Sequence, residues 1–330
     1  MFAFLNFFNV QEIENGDIIK LNNPVVTIGT FDGLHLGHQL VISKTIEIAK
    51  KKKGTPVVFT FWPHPRFVLG KGNFSLLNSF DEKKVLFKRL GVKYVYFQPF
   101  TKEFANLTSH EYVKNILVDK IGVKTLVVGY DHQFGKNRDG RFETLGELAK
   151  LYNFELFKVN SFDISDITVS STKIRIAIEE GNITIANKLL GYDYFISGTV
   201  IDGSKIGKKI GFPTANLKLD DDLKLVPKDG VYAVYVEIEN RFYKGMLYIG
   251  YRPTIENQPH IKTIEVNIFD FSLEIYSTPI RVYFTARLRD DIKFKDINEL
   301  IDNLKIDKEN SRKVLKEMPQ FPKSLINNYI

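Results

Sequence analysis

Two histidines three residues apart, His35 and His38, end a glycine-rich segment that spans Gly29–His38. The segment follows an apolar run, Val25–Ile28, that predicts a buried strand, and it precedes an amphipathic run, Gln39–Lys51, that predicts a helix. A glycine-rich turn between a strand and a helix can hold a phosphate group at the helix N-terminus. The two imidazoles would add side-chain donors to the backbone N–H groups there. The alternative is an ordinary tight turn in which the histidines only cap the helix.

Three further clusters follow predicted strands or open a predicted helix: Trp62–Arg66, Gly129–Gly140 and Ser170–Arg175. In an open α/β sheet, ligands bind at the carboxyl ends of the strands. Four of the six histidines lie in the glycine-rich segment and in these clusters, which favours one shared site over scattered core histidines. Taken alone, the first cluster is equally a rigid Pro-His-Pro bend, and the last is an ordinary N-cap followed by solvated charges.

The segment Gly207–Leu217 carries hard oxygen donors that suit a magnesium ion. The Thr214 hydroxyl and the Asn216 side-chain oxygen stand two residues apart, behind a glycine-rich stretch that could cover a nucleotide. Phosphoryl transfer needs a metal that bridges phosphate oxygens, and Mg²⁺ keeps several waters and phosphate oxygens among its ligands. The alternative is a proline turn that happens to carry polar side chains.

The elements that must position these groups begin with an alternation of strands and helices over the first 190 residues, which predicts a parallel sheet with helices on both faces. The strands are short and apolar, as expected of strands that are buried on both faces. The predicted strands are Val25–Ile28, Pro56–Phe61, Tyr94–Phe97, Thr125–Gly129 and Phe154–Val159. The predicted helices are Gln39–Lys51, Asp81–Leu90, Ser109–Lys120, Thr144–Tyr152, Ser171–Glu180 and Ile183–Leu190.

The pattern changes after Gly191, where strands follow one another without intervening helices. Successive strands joined by short turns favour an antiparallel barrel or sandwich, here followed by a helix over Ile297–Glu317. The change predicts two domains, 1–190 and 191–330. The predicted strands of the second domain are Tyr194–Ile201, Val231–Ile238, Arg241–Ile249, Thr263–Phe269 and Ile280–Phe284.

The composition limits the class of protein. A chain of 330 residues suits two domains, and 44% hydrophobic with 26% charged residues is typical of a soluble globular protein. No apolar run approaches the ~20 residues of a membrane span, and Met1–Phe8 lacks the pattern of a signal peptide. The absence of cysteine excludes disulfides, thiolate catalysis and cysteine-bound metals, and it fits a cytoplasmic protein. The net charge of +7 suits a polyanion such as ATP or a nucleic acid, or else reflects a lysine-rich solvated surface.

Together, these motifs resemble those of the His-x-Gly-His nucleotidyltransferases, and more closely those of the bifunctional riboflavin kinase/FMN adenylyltransferases. The resemblance covers nearly the whole chain. It rests on five motifs and on the order in which they follow one another along the chain. It implies an α/β Rossmann-like nucleotidyltransferase domain, then an antiparallel β-barrel riboflavin kinase domain with a C-terminal helix. The motifs are Gly-Thr-Phe-Asp-Gly-Leu-His-Leu-Gly-His, Pro-His-Pro-Arg, Gly-Tyr-Asp-His-Gln-Phe-Gly, Ser-Ser-Thr-Lys-Ile-Arg and Gly-Phe-Pro-Thr-Ala-Asn.

The resemblance implies that the first domain transfers AMP from ATP to FMN, giving FAD and pyrophosphate. The attacking FMN phosphate oxygen is already anionic, so catalysis would depend on alignment and on neutralising charge at the transferred phosphate and the pyrophosphate. The resemblance gives this role to His35, His38 and Arg175. It also implies nucleotide binding by Gly29, Phe31, Asp32, Gly33, Gly37, Ser171 and Thr172, and flavin binding by His64, Arg66, Asp131 and Phe134.

The second domain would phosphorylate riboflavin to FMN with ATP. A 5′-hydroxyl benefits from a base, and Glu265 matches the family's catalytic glutamate. Strand alternation lets Glu265 face a pocket while Ile264 and Val266 face elsewhere; the alternative is a solvent-facing carboxylate. The resemblance implies Mg²⁺ binding by Thr214 and Asn216, and substrate binding by Gly207, Gly211, Pro213 and Arg252.

The kinase motifs depart from the family pattern at Tyr248, Asn267 and Asp291, where asparagine, histidine and glutamate are usual, and lysines replace an arginine before Gly211. These changes remove no proposed metal ligand and leave the base in place, but they bear on flavin affinity and kinase rate. Two other functions stay open: a monofunctional FAD synthetase with an inactive, flavin-binding kinase module, and a non-catalytic flavin or nucleotide sensor. The expected partners are riboflavin, FMN and ATP, without nucleic acid or membrane.

Overall fold

The computed structural model describes residues 11–13, 21–70, 72, 74–130, 134–136, 140–160, 163–164, 167–203, 206–251 and 262–316. Among these residues, contacts group 11–74 and 80–170 into one compact unit, and 75–79 and 171–316 into a second. The division falls at Ser171, ahead of the change of pattern at Gly191. The predicted end of the last helix, Glu317, lies outside the described residues.

A parallel sheet forms the centre of the first unit, and six of its strands lie in the described part of the chain. The strands are β1 (Gln11–Ile13), β2 (Pro24–Ile28), β3 (Thr55–Trp62), β4 (Tyr94–Pro99), β5 (Thr125–Gly129) and β6 (Glu155–Val159). Their order across the sheet is β1–β4–β3–β2–β5–β6, so the direction of winding reverses between β2 and β5. In a doubly wound sheet, the ligand crevice lies at the carboxyl ends of the strands beside that reversal.

Helices cover both faces of this sheet. Val25 and Val127 pack against α1 on one face, whereas Val26 and Val128 join a larger core on the other face. The period-two alternation of β2 and β5 therefore accounts for both layers, as the strand–helix pattern predicted. The helices of this unit are α1 (Leu36–Lys51), α2 (Pro65–Val68), α3 (Phe80–Arg89), α4 (Lys102–Ala105), α5 (Ser109–Glu111) and α6 (Phe142–Tyr152), and β7 (Asp163–Ile164) pairs with β8 (Ile167–Thr168).

The second unit is a closed antiparallel barrel with helices at both ends of its sequence. The order around the barrel is β10–β13–β12–β11–β14–β9, and pairing between β9 and β10 closes it. Closure leaves no free sheet edge. The elements are α7 (Ser171–Glu179), α8 (Ile183–Leu190), β9 (Phe195–Ile201), α9 (Ile206–Lys209), β10 (Ala215–Leu219), β11 (Gly230–Ile238), β12 (Arg241–Tyr251), β13 (Lys262–Ile268), β14 (Pro279–Arg289) and α10 (Ile297–Val314).

The structure corrects four sequence predictions about elements. Strand β10 was missed because its polar residues were assigned to a nucleotide loop, and β14 runs to Arg289 instead of ending at Phe284. Strand β6 is an edge strand whose side chains are largely exposed, not buried on both faces. The predicted α-helix Ser109–Lys120 becomes a π-helix from Tyr112 onward.

A buried ion pair holds α10 to the barrel. Arg289 donates through Nε and a terminal nitrogen to both carboxylate oxygens of Asp307, at 2.7–3.1 Å. The Asp307 side chain is 4% exposed. Removing one partner of such a pair leaves a buried charge without compensation, which costs about 3–5 kcal/mol.

We expect Arg289→Met to lower the free energy of unfolding by about 3 kcal/mol, because it leaves the Asp307 carboxylate buried and unpaired. Urea unfolding followed by circular dichroism measures the loss. The matched control is Lys305→Met, which breaks an exposed pair with Asp302 within the same helix and should cost less than about 1 kcal/mol. Equal losses in the two variants would show that the buried pair adds nothing beyond a surface contact.

Candidate active sites

The turn between β2 and α1 brings the two predicted histidines into contact. Helix α1 begins at Leu36, ahead of the predicted start at Gln39, and His35 is its N-cap. The backbone N–H of His38 donates to His35 Nδ1 at 3.4 Å, and the two rings stack with centroids 3.6 Å apart. Free N–H groups and the helix dipole favour an anion at this position.

The backbone of this turn is strongly bent, and its side chains are buried. Phe31 and Gly33 have φ values of 47° and 84°, and the side chains of Phe31 and Asp32 are buried. A Cβ atom at Gly29 would lie 3.0 Å from the Phe31 ring, and one at Gly37 would lie 3.3 Å from the N-cap imidazole. These two glycines therefore leave room for the neighbouring rings of Phe31 and His35, and their part in nucleotide binding stays a prediction.

Burial keeps both imidazoles neutral. Desolvation lowers the pKa of His35 to about 4. Desolvation also lowers the pKa of His38 well below its ordinary value, and the charges of His35 and Lys83 act in the same direction. His38 Nδ1 is buried and has no hydrogen-bond partner among the described residues. Because a buried polar atom without a partner is costly, His38 has an atom to offer to a ligand.

His64 and Arg66 form a short helix cap next to an aromatic cluster. His64 is buried, and its Nδ1 accepts from the backbone N–H of Arg66 at 3.2 Å. The Arg66 guanidinium lies 4.9 Å from the centroid of the Phe74 ring. The peptide bond between Trp62 and Pro63 is cis. The rigid bend that the sequence suggested is therefore present, and the guanidinium of Arg66 remains exposed beside it.

Phe134 lies in the core of the first unit, although the resemblance placed it near the flavin. Its ring is 5.6 Å from the ring of Tyr112, and a Cβ atom at Gly140 would lie 2.6 Å from it. These contacts favour a packing role for Phe134. Two other predicted site residues lie outside the described residues: Asp131, in the same loop as Phe134, and Arg252, in the second domain.

Sequence reasoning missed Lys83 on α3, which lies under the β2–α1 turn. Lys83 is fully buried, and its Nζ donates to the backbone carbonyl of Thr30 at 2.8 Å. A signal was available, because Lys83 is three and four residues before Leu86 and Phe87, which form the buried face of α3.

In the second unit, α7 carries the predicted residues Ser171, Thr172 and Arg175. Ser171 is half-buried and Thr172 is exposed in the first turn of the helix. Arg175 is buried, and its Nε donates to the backbone carbonyl of Ser75 at 2.9 Å. A terminal nitrogen of Arg175 also donates to the carbonyl of Ser171 at 3.3 Å. These bonds fix the direction of the guanidinium within this unit.

The barrel brings Glu265 together with Thr214 and Asn216. Glu265 on β13 is directly opposite Asn216 on β10 and opposite Tyr248 on β12. Directly opposed residues share one face of a sheet. The Thr214 hydroxyl donates to Glu265 Oε2 at 3.1 Å. Glu265 is half-buried between two buried neighbours in sequence, so the strand alternation separates it from the apolar side of the barrel wall.

Glycines make room for the hydroxyl and amide of this cluster. The carbonyl of Gly207 accepts from the backbone N–H of Phe212 at 2.8 Å, and a Cβ atom at Gly207 would lie 3.3 Å from Thr214 Oγ1. A Cβ atom at Gly203 would overlap the Asn216 amide. Gly211 has a φ of 82°, which favours glycine. A cavity of about 360 Å³ is lined in part by Lys208, Pro213, Thr214, Ala215 and Val266. Ala215 and Val266 are directly opposite each other, and they lie on the other face of the barrel wall from Asn216 and Glu265.

Two of the departures from the family pattern, Tyr248 and Asp291, contact each other. The Tyr248 phenol hydrogen-bonds to Asp291, and burial raises its pKa, with a further contribution from the charge of Asp291. A Cβ atom at Gly250 would overlap the phenol oxygen. The third departure, Asn267, donates to the Pro213 carbonyl at 2.6 Å. A larger residue at 248 is thus matched by a shorter acid at 291 and by a glycine at 250.

The fold and these clusters define a protein with a doubly wound nucleotide-binding unit and a barrel that carries a hydroxyl, an amide and a carboxylate on one face. A family model of FAD synthetase matches residues 18–173, and a model of riboflavin kinase matches residues 190–315. Among curated relatives, the bifunctional riboflavin kinase/FMN adenylyltransferase of Bacillus subtilis is 38% identical over 86% of this chain and 90% of its own length. That of Escherichia coli K12 is 33% identical, over 88% of this chain and 92% of its own.

The chain therefore belongs to the family of bifunctional riboflavin kinase/FMN adenylyltransferases. It uses ATP to phosphorylate riboflavin to FMN and to adenylylate FMN to FAD, as the motifs predicted. A crystal structure described as a macrolide-efflux protein from Streptococcus pneumoniae matches with a TM-score of 0.83 and 35% identity, over 92% of this chain and 98% of that one. Among the residues that the structure describes here, no helix is both long and apolar enough to cross a membrane.

The buried histidines predict a pH-dependent stability of the first unit. The pKa of His35 is lower in the folded state than its ordinary value of 6.5, so the unfolded chain alone takes up a proton as the pH falls from 6.5 towards 4. The stability is therefore fully present above 6.5 and is lost below it. Between about pH 7.5 and pH 5.5, we expect His35 to contribute a loss of about 1 kcal/mol.

His35→Asn keeps a good N-cap residue and should remove this contribution. Urea unfolding at the two pH values, followed by the fluorescence of Trp62, the single tryptophan of the chain, measures it. The exposed His110 provides the control, and His110→Asn should keep the pH dependence of the parent. A parental pH dependence in His35→Asn would mean that its imidazole is not held neutral by burial.

Proposed function

We propose that adenylyl transfer takes place at the N-terminus of α1 and that riboflavin is phosphorylated beside Glu265 in the barrel. The observation that carries the first assignment is the stacked pair of neutral imidazoles at a helix N-terminus, at the reversal of strand order. The observation that carries the second is the hydrogen bond from Thr214 to Glu265. Both sites would serve small-molecule substrates in the cytoplasm.

Adenylyl transfer forms a bond between an FMN phosphate oxygen and the α-phosphorus of ATP while the bond to the leaving pyrophosphate breaks. The attacking oxygen is already anionic, so the protein needs to supply orientation and donors that stabilise charge on the transferred group. His35 and His38, with the free N–H groups of α1, would supply these donors. Arg66 would bind the flavin phosphate, and the assignment of Ser171, Thr172 and Arg175 on α7 to nucleotide binding stays a prediction from the resemblance.

We expect His38→Ala to reduce FAD formation by on the order of 10²-fold or more, because it removes a donor that stabilises the transferred phosphate. FMN formation from riboflavin should stay at the parental rate, since it depends on the barrel. Chromatographic separation of flavins, with FMN or riboflavin supplied with ATP, measures both rates on one preparation. Parental FAD synthesis in this variant would overturn the assignment of this site.

In the barrel, the Glu265 carboxylate would accept the proton of the riboflavin 5′-hydroxyl as that oxygen attacks the γ-phosphorus of ATP. The Thr214 hydroxyl donates its own hydrogen to this carboxylate and so orients it. Gly207, Gly211 and Pro213, which precede Thr214, would help to bind the substrate, as the resemblance implies. Tyr248 faces the same side of the barrel as Glu265 and would contact the substrate.

The donor chemistry of this cluster fits a magnesium ion that is held mainly by substrate. The described residues contain no group of three or more His, Cys, Asp or Glu side chains that could hold a metal. Thr214 and Asn216 offer neutral hydroxyl and amide oxygens, and Thr214 keeps its lone pairs because its hydrogen is donated. Such a donor set suits Mg²⁺, which retains waters and phosphate oxygens. Thr214 and Asn216 would hold the ion, which would supply positive charge that neutralises the phosphates of ATP.

We expect Glu265→Gln to reduce FMN formation from riboflavin by on the order of 10²-fold or more, because the amide cannot accept the hydroxyl proton. Glutamine still accepts the hydrogen bond from Thr214, so the local structure should persist. FAD formation from added FMN should be unaffected. This variant should therefore lose the reaction that His38→Ala keeps, and keep the reaction that His38→Ala loses. A parental rate of FMN formation would show that another group acts as the base.

A further inference from the structure

The buried lysine of the first unit, Lys83, has no role in the reaction as derived so far. Its ammonium group donates to the Thr30 carbonyl at 2.8 Å, and the Thr60 hydroxyl donates to the same carbonyl at 3.3 Å. Thr30 lies in the turn that leads from β2 to the histidines of α1. Lys83 thus links α3 to the β2–α1 turn through its hydrogen bond to Thr30.

Stability alone does not account for a lysine at this position. Burying an ammonium group costs more than burying an apolar side chain of similar size, and methionine would fill this helical position without that cost. Desolvation lowers the pKa of Lys83 to about 8, and the opposite charge of Asp32 resists the shift. A residue that is retained at a cost in stability is a candidate for a functional role.

We propose that Lys83 is a positioning residue for adenylyl transfer, which fixes the β2–α1 turn through Thr30 and places a positive charge beneath the phosphate-binding end of α1. The inference rests on the proposed function, namely that adenylyl transfer takes place at this turn. The negative substrates, ATP and FMN, repel each other, and a charge held behind the turn attracts both without contacting them. The ammonium also acts on His38, whose imidazole its charge helps to keep neutral.

The charged and titratable groups around Lys83 come from three elements. Asp32 faces it from the turn, His38 from α1, and Glu82 precedes it on α3. The indole of Trp62 on β3 is also close to Lys83, with its ring centroid 5.5 Å from the ammonium nitrogen. Asp32 is the group that favours the charged form, whereas the two histidines are held neutral by burial. Loss of the proton from Lys83 should therefore remove the positive charge of this cluster.

The test compares three variants in two reactions on the same chain. Lys83→Met should reduce kcat for FAD formation by on the order of 10²-fold while FMN formation from riboflavin and the far-ultraviolet circular dichroism spectrum keep their parental values. Lys83→Arg retains the charge and should restore at least a tenth of the parental rate. The matched control is Lys84→Met, which removes an adjacent lysine that pairs with Asp81 on the surface, and both of its rates should be parental.

The pH dependence of FAD formation distinguishes an effect of the charge of Lys83 from an effect of its size. In the parent, FAD formation should fall above about pH 8 as Lys83 loses its proton, without a change in the far-ultraviolet circular dichroism spectrum, whereas Lys83→Arg should lose this alkaline limb because guanidinium does not titrate there. If neither variant at position 83 folds, the parental profile decides, and a flat FAD rate to pH 9.5, about 1.5 units beyond this pKa, overturns the inference.

The remaining outcomes are also decisive. Parental FAD synthesis in Lys83→Met, together with loss of activity in His38→Ala, would overturn the role of Lys83 and leave the site in place. Parental synthesis in both variants would overturn the proposed site itself. An alkaline limb shared by the parent and Lys83→Arg would assign the titration to another group and would contradict the inference.

Discussion

The position of β2 between β3 and β5 is the constraint on which the proposed adenylyl-transfer site depends. Because the strand order reverses beside β2, the connections on its two sides diverge and leave space at its carboxyl end. The chain must turn sharply from this strand into α1, and the positive φ angles at Phe31 and Gly33 achieve the turn. The tight turn buries His35 and brings its ring against His38. Topology therefore dictates the burial of these imidazoles, and burial dictates that they stay neutral.

In the barrel, the closure of the sheet determines which residues are neighbours. Strand β10 pairs with both β9 and β13, and this pairing places Asn216 opposite Glu265. Without β10 the sheet would have an open edge, and the Pro-Thr-Ala-Asn segment would not be next to the Glu265 carboxylate. The segment thus has two roles, since its backbone closes the barrel while Thr214 and Asn216 face the site. A loop could not hold these oxygens as precisely relative to a strand residue.

Much of this arrangement could be predicted from the sequence, and the failures have physical reasons. The strand–helix alternation and the order of the motifs predicted both fold classes, and the spacing of His35 and His38 placed them on one helix turn. Strand β10 was missed because its polar residues were assigned to a nucleotide loop, and only its pairing with β9 and β13 identifies it as a strand. Lys83 was missed because a single charged residue on an apolar helix face carries no motif, and only its burial under Thr30 reveals it.

The departures at Tyr248 and Asp291 could not be interpreted one residue at a time. A tyrosine in place of a smaller side chain suggests a clash, and a shortened acid suggests a lost contact. The structure joins the two, because the phenol reaches the shorter carboxylate across the space that Gly250 leaves free. The longer side chain of Tyr248 and the shorter side chain of Asp291 therefore compensate for each other in size. The contact lies in the barrel wall beside Glu265, which is directly opposite Tyr248.

The two reactions place opposite demands on the protein, and the two sites meet them with different groups. A riboflavin hydroxyl must lose a proton, so the barrel presents a half-buried carboxylate that can take it. An FMN phosphate is already an anion, so its site needs no carboxylate that acts as a base. The first unit instead offers a helix N-terminus, neutral imidazoles and a buried ammonium group. The ionisation state of each nucleophile thus accounts for which side chains the two sites contain.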